Sequence, residues 1–367
     1  MSISFRHWIA AAALASAAVC VSAAAQGPQP ELPLAPPGVP VNKADTLTRL
    51  AFGSCNGQDQ AQDIWAGIAG TGPQLFLAIG DNVYGDPGWD GGADLASYRA
   101  AYAKQSTHDE FHAFRAQVPM AVTWDDHDYG PNDAGADFAF RDFSEEIFET
   151  YWGVPESVSA RDGVHDSFLI GPEGRRVQVI LLDTRFFRSP LATIPQERQR
   201  GLGRYGPGSD PAATMLGEEQ WRWLAQELAK PAELRIVVSS IQVLTDAHEF
   251  ERWGNFPAER ERLYAALAGR AESGVVLLSG DRHSAGIYRA RPEAMGGEEI
   301  WEFTSSSLNR PAQGRNVDSR EPDPLRDTAM IGGENFGLVD VDWAARRFIM
   351  RLLDDQGREI YHRAAPF

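Results

Sequence analysis

From Thr46 onward the chain alternates short apolar runs with longer amphipathic stretches. The runs cover residues 47–53, 75–79, 120–123, 177–182, 236–238 and 275–278, and are rich in Val, Ile and Leu. Short continuous runs of this kind predict strands buried on both faces of a sheet. Helices are predicted between them, near 59–70, 94–117, 136–152, 217–229 and 257–272. In the fourth of these, Trp221, Leu224, Ala225 and Leu228 recur at helical spacing. The fifth opens on Pro257, whose fixed φ suits a first turn. The tail from Phe336 to Arg363 reads differently: an apolar run over 348–353 meets the turn Asp354-Asp355-Gln356-Gly357, which predicts an antiparallel hairpin. The pattern is that of an α/β domain with a C-terminal β-hairpin.

The first 45 residues do not share this pattern. Arg6 precedes an apolar run from Trp8 to Val21, and Ala23-Ala24-Ala25 offers an A-x-A cleavage site. Residues 1–25 therefore read as a secretory signal peptide, since the run is short for a bilayer span. Residues 26–45 carry Pro28, Pro30, Pro33, Pro36, Pro37 and Pro40 and read as an extended linker. The folded domain is expected over 46–367, in a secreted or periplasmic protein with no membrane anchor after cleavage near Ala25. Arg6-His7 stands where a folded-protein export signal has twin arginines, which favours the general export route.

Composition narrows the function classes. With 51 acidic against 34 basic residues the net charge is −17, a poor basis for coating a nucleic-acid backbone. Only Lys43, Lys104 and Lys230 are lysines, and none follows a P-loop glycine pattern. Cleavage would leave Cys55 as the single cysteine, so an exported chain would carry a thiol with no internal partner.

The candidate chemistry sits immediately after each apolar run. The six runs lead into Ser54-Cys55-Asn56, Gly80-Asp81-Asn82, Trp124-Asp125-Asp126-His127-Asp128, Asp183-Thr184-Arg185, Ser239-Ser240 and Ser279-Gly280-Asp281-Arg282-His283. In open α/β sheets ligands bind beyond the carboxyl ends of the strands. These side chains should therefore meet at one rim. Each motif alone is ordinary turn chemistry. Together, and with Tyr84 three residues past Asp81, they gather carboxylates, two histidines, a tyrosine and a thiol, and so many carboxylates at one rim repel one another unless cations neutralise them.

These segments, with Tyr84 three residues past Asp81, resemble the PhoD-like alkaline phosphatases, a branch of the calcineurin-like metallophosphatases. Asp183-Thr184-Arg185 and the stretch from Glu251 to Arg260 share the likeness, which runs in order from about 47 to 310. The resemblance implies a four-layer α/β/β/α sandwich around two metals. It also implies Fe3+ with Ca2+ as cofactors, phosphoester small molecules as substrates, and hydrolysis of monoesters or diesters by a metal-bound hydroxide. By position, Cys55, Tyr84 and His283 would bind the iron, Asp81 would bridge, and Asp281 would bind the second metal. Asp126 or Asn132 would complete that second set, because Asp125-Asp126 stands where the superfamily's G-N-H-[DE] motif has Gly-Asn. His127 would protonate the leaving oxygen or stabilise the transition state. Arg185 and Arg282 either contact phosphate bidentately or are structural arginines, and Asn255 and Trp253 are candidates for the substrate mouth, with core packing the equal reading of Trp253.

Two rivals have motifs of their own. Gly53-Ser54-Cys55-Asn56-Gly57 fits a nucleophile elbow with cysteine for serine, and Asp183 and His283 come after it in triad order. That reading is a cysteine-nucleophile α/β-hydrolase acting on esters or lactones, but it gives Asp81, Tyr84 and Asp126 no role. Gly201-Leu202-Gly203-Arg204-Tyr205-Gly206 fits G-x-G-x-x-G but has neither a strand before it nor a helix after it, so it reads as a glycine-rich loop. A secreted Ca2+- or phosphate-binding protein without turnover is a third class, opposed by His127 and the complete ligand set. His108, His112, His165, His248 and His362 are read as structural or surface residues, with His248 the one nearest a predicted rim segment.

Overall fold

The computed structural model describes residues 31–201, 203–269, 273–312 and 321–367. The expected signal peptide, the first residues of the Pro-rich segment and Leu202 of the glycine-rich loop lie outside the described residues. Two six-stranded sheets form the body. The first holds β1 (Arg49–Gly53), β2 (Phe76–Ile79) and β3 (Met120–Thr123) in parallel. The second holds β4 (Asp166–Ile170), β5 (Val177–Leu181), β6 (Leu234–Val238), β7 (Gly274–Ser279), β8 (Ala285–Ala290) and β9 (Ile300–Ser305), in the order β4-β5-β6-β7-β9-β8. Of these, β5, β6, β7 and β9 run parallel and the two edge strands antiparallel. The tail gives β10 (Asn335–Asp342), β11 (Arg347–Asp354) and β12 (Glu359–Pro366), which extend the first sheet antiparallel from β1.

Strand alternation decides the layering. Leu50, Phe52, Leu77 and Ile79 of the first sheet share one buried cluster with Val177, Val179, Leu181, Ile236, Val238, Val276 and Leu278 of the second. The residues between them face the other way. Ala51, Phe76 and Ala78 pack with Trp65 and Ile68 of the helix Ile64–Gly70 and with Phe111 and Phe114 of the helix Asp109–Arg115. Ile180, Val237 and Leu277 pack with Trp221, Leu224 and Leu263 of the helices Gly217–Leu228 and Pro257–Leu267. Helix, sheet, sheet and helix thus result from runs apolar on both faces, and the α/β/β/α sandwich is the observed architecture. Further helices, Ala96–Gln105 and Arg141–Trp152, cluster around Tyr98, Tyr102, Phe148 and Tyr151. No helix among the described residues is long and apolar enough to cross a membrane.

Several elements differ from the sequence pattern. The stretch 94–117 is two helices, separated by Ser106-Thr107-His108. The tail hairpin is a three-stranded meander whose second turn is the expected Asp354–Gly357. Strands β4, β8 and β9 are not marked by an apolar run, since β9 has Glu302 in its middle and β4 is half exposed. Glu302 is tolerated because its carboxylate accepts the N–H groups of Val243 and Leu244 at 2.8 and 2.7 Å. The Pro-rich residues after Glu31 are extended but do not hang free. The Ala35 N–H reaches the Tyr151 carbonyl at 2.9 Å, Arg115 donates to the Pro36 carbonyl at 2.6 Å, and the compact unit runs from Leu32 to Phe367.

The central sheet contact is tight. Phe52 lies opposite Gly337 on β10 and stacks edge-on against Phe303 at 4.8 Å. A Cβ on Gly337 would sit 2.1 Å from the Phe52 ring. Gly337→Ala should cost about 1–3 kcal/mol through overpacking, measured by urea unfolding. Phe52→Ala should cost about 3–5 kcal/mol. The double variant should lose less than the sum, because the ring that clashes is gone; strict additivity would contradict the contact.

Candidate active site

The carboxyl ends of β1, β2, β3, β5, β6, β7 and β9 carry the polar motifs onto one rim, which opens on a cavity of about 1150 Å³. Asp126, His127, Asn132, Asp281, Arg282 and His283 all line it. At its base Cys55, Asp81 and His283 offer ligand atoms within 4.8 Å of one another; so do Asp81, Asp126 and His127, and so do Asp81, Asp125, Asp126 and Asp281. Asp81 belongs to all three of these, and a fourth group, Asp126, Asp133 and Glu251, joins them through Asp126. One of its oxygens, Oδ2, lies 3.0 Å from the Tyr84 hydroxyl and 3.4 Å from Cys55 Sγ. Its other oxygen is buried and has no hydrogen-bond partner among the described residues, and the same is true of Asp125 Oδ2. Orphaned, buried carboxylate oxygens facing further acidic groups fit cation ligation.

The backbone is bent to make this meeting possible. Cys55, Asp81, Asp281 and His283 have φ of 60°, 50°, 65° and 52°. Non-glycine residues at such angles cost of order 1–3 kcal/mol each and concentrate at functional sites. Each comes within a few residues of its strand's end, so the left-handed turn directs the side chain across the rim instead of on along the strand.

The electrostatics express the crowding. Burial raises the pKa of Asp81 to about 7, with Asp126 and Asp128 adding to the rise and His127 opposing it. Burial likewise raises Asp125 to about 7 against the pull of Arg185, and pushes Asp281 well up with help from Asp125. The Cys55 thiol and the Tyr84 phenol are both held high by burial and then by Asp81. Asp126 is the exception: burial works against its charge, but His127, Arg185 and the Asp133 N–H at 2.7 Å outweigh it and hold its pKa low. His127 is the counterpart. Burial opposes its proton, yet Asp126, Asp81 and Asp86 raise its pKa to about 11. Its Nδ1 lies 2.6 Å from Asp86 Oδ1, and its ring packs 4.2 Å from the ring of Tyr84.

Some expected site residues lie elsewhere. Arg185, expected on the phosphate, is fully buried; its guanidinium clamps Asp125 and Glu251 and does not line the cavity. Asn255, expected at the mouth, is buried too, and Trp253, read equally as mouth or core, is in the core. The Asn255 amide holds the Gly206 carbonyl at 3.2 Å and accepts the Arg252 N–H, and Trp253 donates to Ser239 Oγ at 2.9 Å. Asn132 lies exposed on the cavity wall, whereas Asp126 sits within the buried ligand groups. Arg282 lines the cavity, with Nη2 tied to Glu321 at 2.7 Å and its guanidinium 4.4 Å from the Phe250 ring. His248 is buried, bonded to Gln242 and to the Phe250 N–H, and does not line the cavity.

The triad of the cysteine-hydrolase reading is not assembled. Asp183 is taken up by the N–H groups of Val164, Arg185 and Phe186, while His283 Nδ1 is bonded to the Arg310 carbonyl. A thiol held well above its usual pKa is also the reverse of an activated nucleophile. Sequence reasoning missed Arg310, Phe250 and the wall formed by Gly201, Gly203, Arg204 and Tyr205, and named Glu251 only as part of the stretch from Glu251 to Arg260. The one available signal for Arg310 was the polar run Thr304–Ser307 shortly before it, in which the unrecognised β9 ends.

The PhoD-like phosphatase family model matches residues 50–352. The chain belongs to the PhoD-like phosphatase family. It is 26% identical over 223 residues to alkaline phosphatase D of Bacillus subtilis (strain 168), a match covering 52% of this chain and 35% of that protein. The match thus spans about a third of that relative's length. The solved structure of PhoD aligns with a TM-score of 0.65 at 19% identity, covering 91% of this chain and 70% of that one. This is a likeness of fold, and the two-sheet sandwich is what is shared.

Within this PhoD-like site Arg185 is the cation that lets Asp125 and Glu251 be buried together. Arg185→Met should cost about 3–5 kcal/mol, because it leaves Asp125 in the interior without its cation and Glu251 with Arg188 alone, at 3.5 Å. Urea unfolding checks this, and a loss below about 1 kcal/mol would show that the clamp carries little.

Proposed function

We propose that this chain is an exported, metal-dependent phosphoesterase that hydrolyses phosphate monoesters or diesters. The observation that carries the reading is Asp81, the one residue that the group with Cys55 and His283 shares with the groups built around Asp126. A carboxylate so placed suits a bridge between two ions. On one side of it, Cys55, Tyr84 and His283 supply a thiol, a phenol and an imidazole, a donor set that suits Fe3+. On the other, Asp125, Asp126 and Asp281 supply oxygen alone, which suits a hard cation such as Ca2+. Asp126 is the better second-metal ligand than Asn132, being buried among the other donors while Asn132 is exposed. When bound, such ions neutralise phosphoryl oxygens and activate water as the nucleophile.

The protein's own groups do the rest. His127 lies on the cavity wall with Nδ1 held by Asp86, which leaves Nε2 to give its proton to the departing ester oxygen. Asp86 fixes the ring orientation as a second carboxylate does behind many catalytic histidines. Buried Ser54 and Ser306 contact Cys55 Sγ at 3.5 and 3.2 Å and hold the thiol in its rotamer. The cavity is far larger than one phosphate, so it has room for the organic part of a substrate. Export rests on the N-terminal sequence pattern: Arg6, the apolar run and the A-x-A site.

Purified protein should release phosphate from a phosphoester, contain iron and calcium, and lose activity in EDTA. Full activity in EDTA, with inactivation by iodoacetamide, would transfer the function to Cys55 as a nucleophile. A visible charge-transfer band is expected from the iron, lost in Tyr84→Phe; a colourless, iron-free active enzyme would contradict that ligand. His127→Asn should lower kcat by about 10²–10⁴ with metal content retained, measured by steady-state kinetics and elemental analysis.

A further inference from the structure

The cavity wall carries three arginines, Arg204, Arg282 and Arg310. Two of them are engaged. Arg204 pairs with Asp133 at 3.3 Å and bonds the Tyr205 hydroxyl, and Arg282 pairs with Glu321. The Arg310 guanidinium makes no hydrogen bond or ion pair among the described residues. It lies instead over the Tyr84 ring, with its central carbon 3.7 Å from the ring centroid. A cation–π contact positions a guanidinium while leaving its N–H donors free. Tyr84 in turn touches Asp81 and packs against His127. The arginine is therefore held above the residues that would surround the reacting phosphorus.

Its backbone is fixed as well. The Arg310 carbonyl is bonded to His283 Nδ1, and neighbouring Asn309 ties its side-chain amide to the carbonyls of Gly57 at 3.1 Å and Ala61 at 3.0 Å. The segment after β9 is thus anchored to the segment after β1, and Arg310 projects from that junction onto the cavity.

We propose that Arg310 is the substrate-contacting residue that grips the phosphoryl group of the ester through its free N–H fork, in the place the sequence assigned to Arg185. The inference rests on the phosphoesterase reading and deepens it. A guanidinium presents a planar pair of donors that matches two phosphate oxygens. Arg282 is less suited because Glu321 already occupies its Nη2. Removing the Arg310 side chain leaves the His283 contact intact, since that bond is made to the main-chain carbonyl.

The test uses the full metal-loaded protein, with inorganic phosphate as the probe. Arg310→Met and Arg310→Lys are compared with wild type by the inhibition constant for phosphate, by KM and kcat for a phosphomonoester, and by metal content. Loss of a charged hydrogen-bonding fork predicts a phosphate inhibition constant raised about 10- to 100-fold in Arg310→Met. It also predicts partial recovery in Arg310→Lys, unchanged metal content, and rescue of Arg310→Ala by millimolar guanidinium ion. Unchanged phosphate inhibition in Arg310→Met, with wild type inhibited, would overturn the role of Arg310 alone. Wild type that neither turns over a phosphoester nor binds phosphate would overturn the phosphoesterase reading, and this one with it.

Discussion

Four carboxylates, from Asp81, Asp125, Asp126 and Asp281, bring oxygens within 4.8 Å of one another inside a buried rim. At that separation each pair of full charges repels by about 4 kcal/mol at the effective dielectric of a protein edge. Arg185 offsets part of this, but it is shared with Glu251, and His127 offsets a further part from one side only. Burial first, and the neighbouring carboxylates after it, raise the pKa of Asp81 and Asp125 in spite of His127 and Arg185. The site makes sense as a seat for positive ions, and its other features serve to build that seat.

The sandwich supplies the convergence. Strands from both sheets end at one rim, so residues far apart in sequence, such as Cys55 and His283, meet beside Asp81. Left-handed turns at four of these positions then aim the side chains inward. That strain is sustained because the strands beneath are locked by the shared core of Phe52, Val179, Ile236 and Phe303. On the proposed function an acidic protein would hold an anionic ester in this way: the negative charge is spread over the whole chain, while the cavity floor would bind cations and the wall carries arginine.

Much of this was legible in the sequence, for physical reasons. Runs buried on both faces marked six strands, and the polar residue after each one marked the rim. The features that stayed hidden depended on tertiary pairing. Arg185 looked like a phosphate ligand because an arginine after a strand end carries no sign of whether Asp125 and Glu251 will enclose it. Asn255 looked like a mouth residue for the same reason. Strand β9 was missed because Glu302 breaks its apolar run, and its loss concealed Arg310 just beyond it. The glycine-rich segment, read as a loop, brings Gly201, Gly203, Arg204 and Tyr205 to the cavity wall, held to the Glu249 carbonyl by the Arg204 and Tyr205 N–H groups at 2.7 Å.

The most direct measurement is the unfolding midpoint of chelator-stripped protein, wild type against Asp81→Asn, before and after adding cations back. If the carboxylates form a cation seat, the stripped Asp81→Asn protein should be at least as stable as the stripped wild type, because one repelling charge is removed. On adding metal the order should reverse, with wild type gaining by binding linkage and the variant gaining much less. A wild type whose midpoint does not respond to any cation, or a variant that responds equally, would contradict the account.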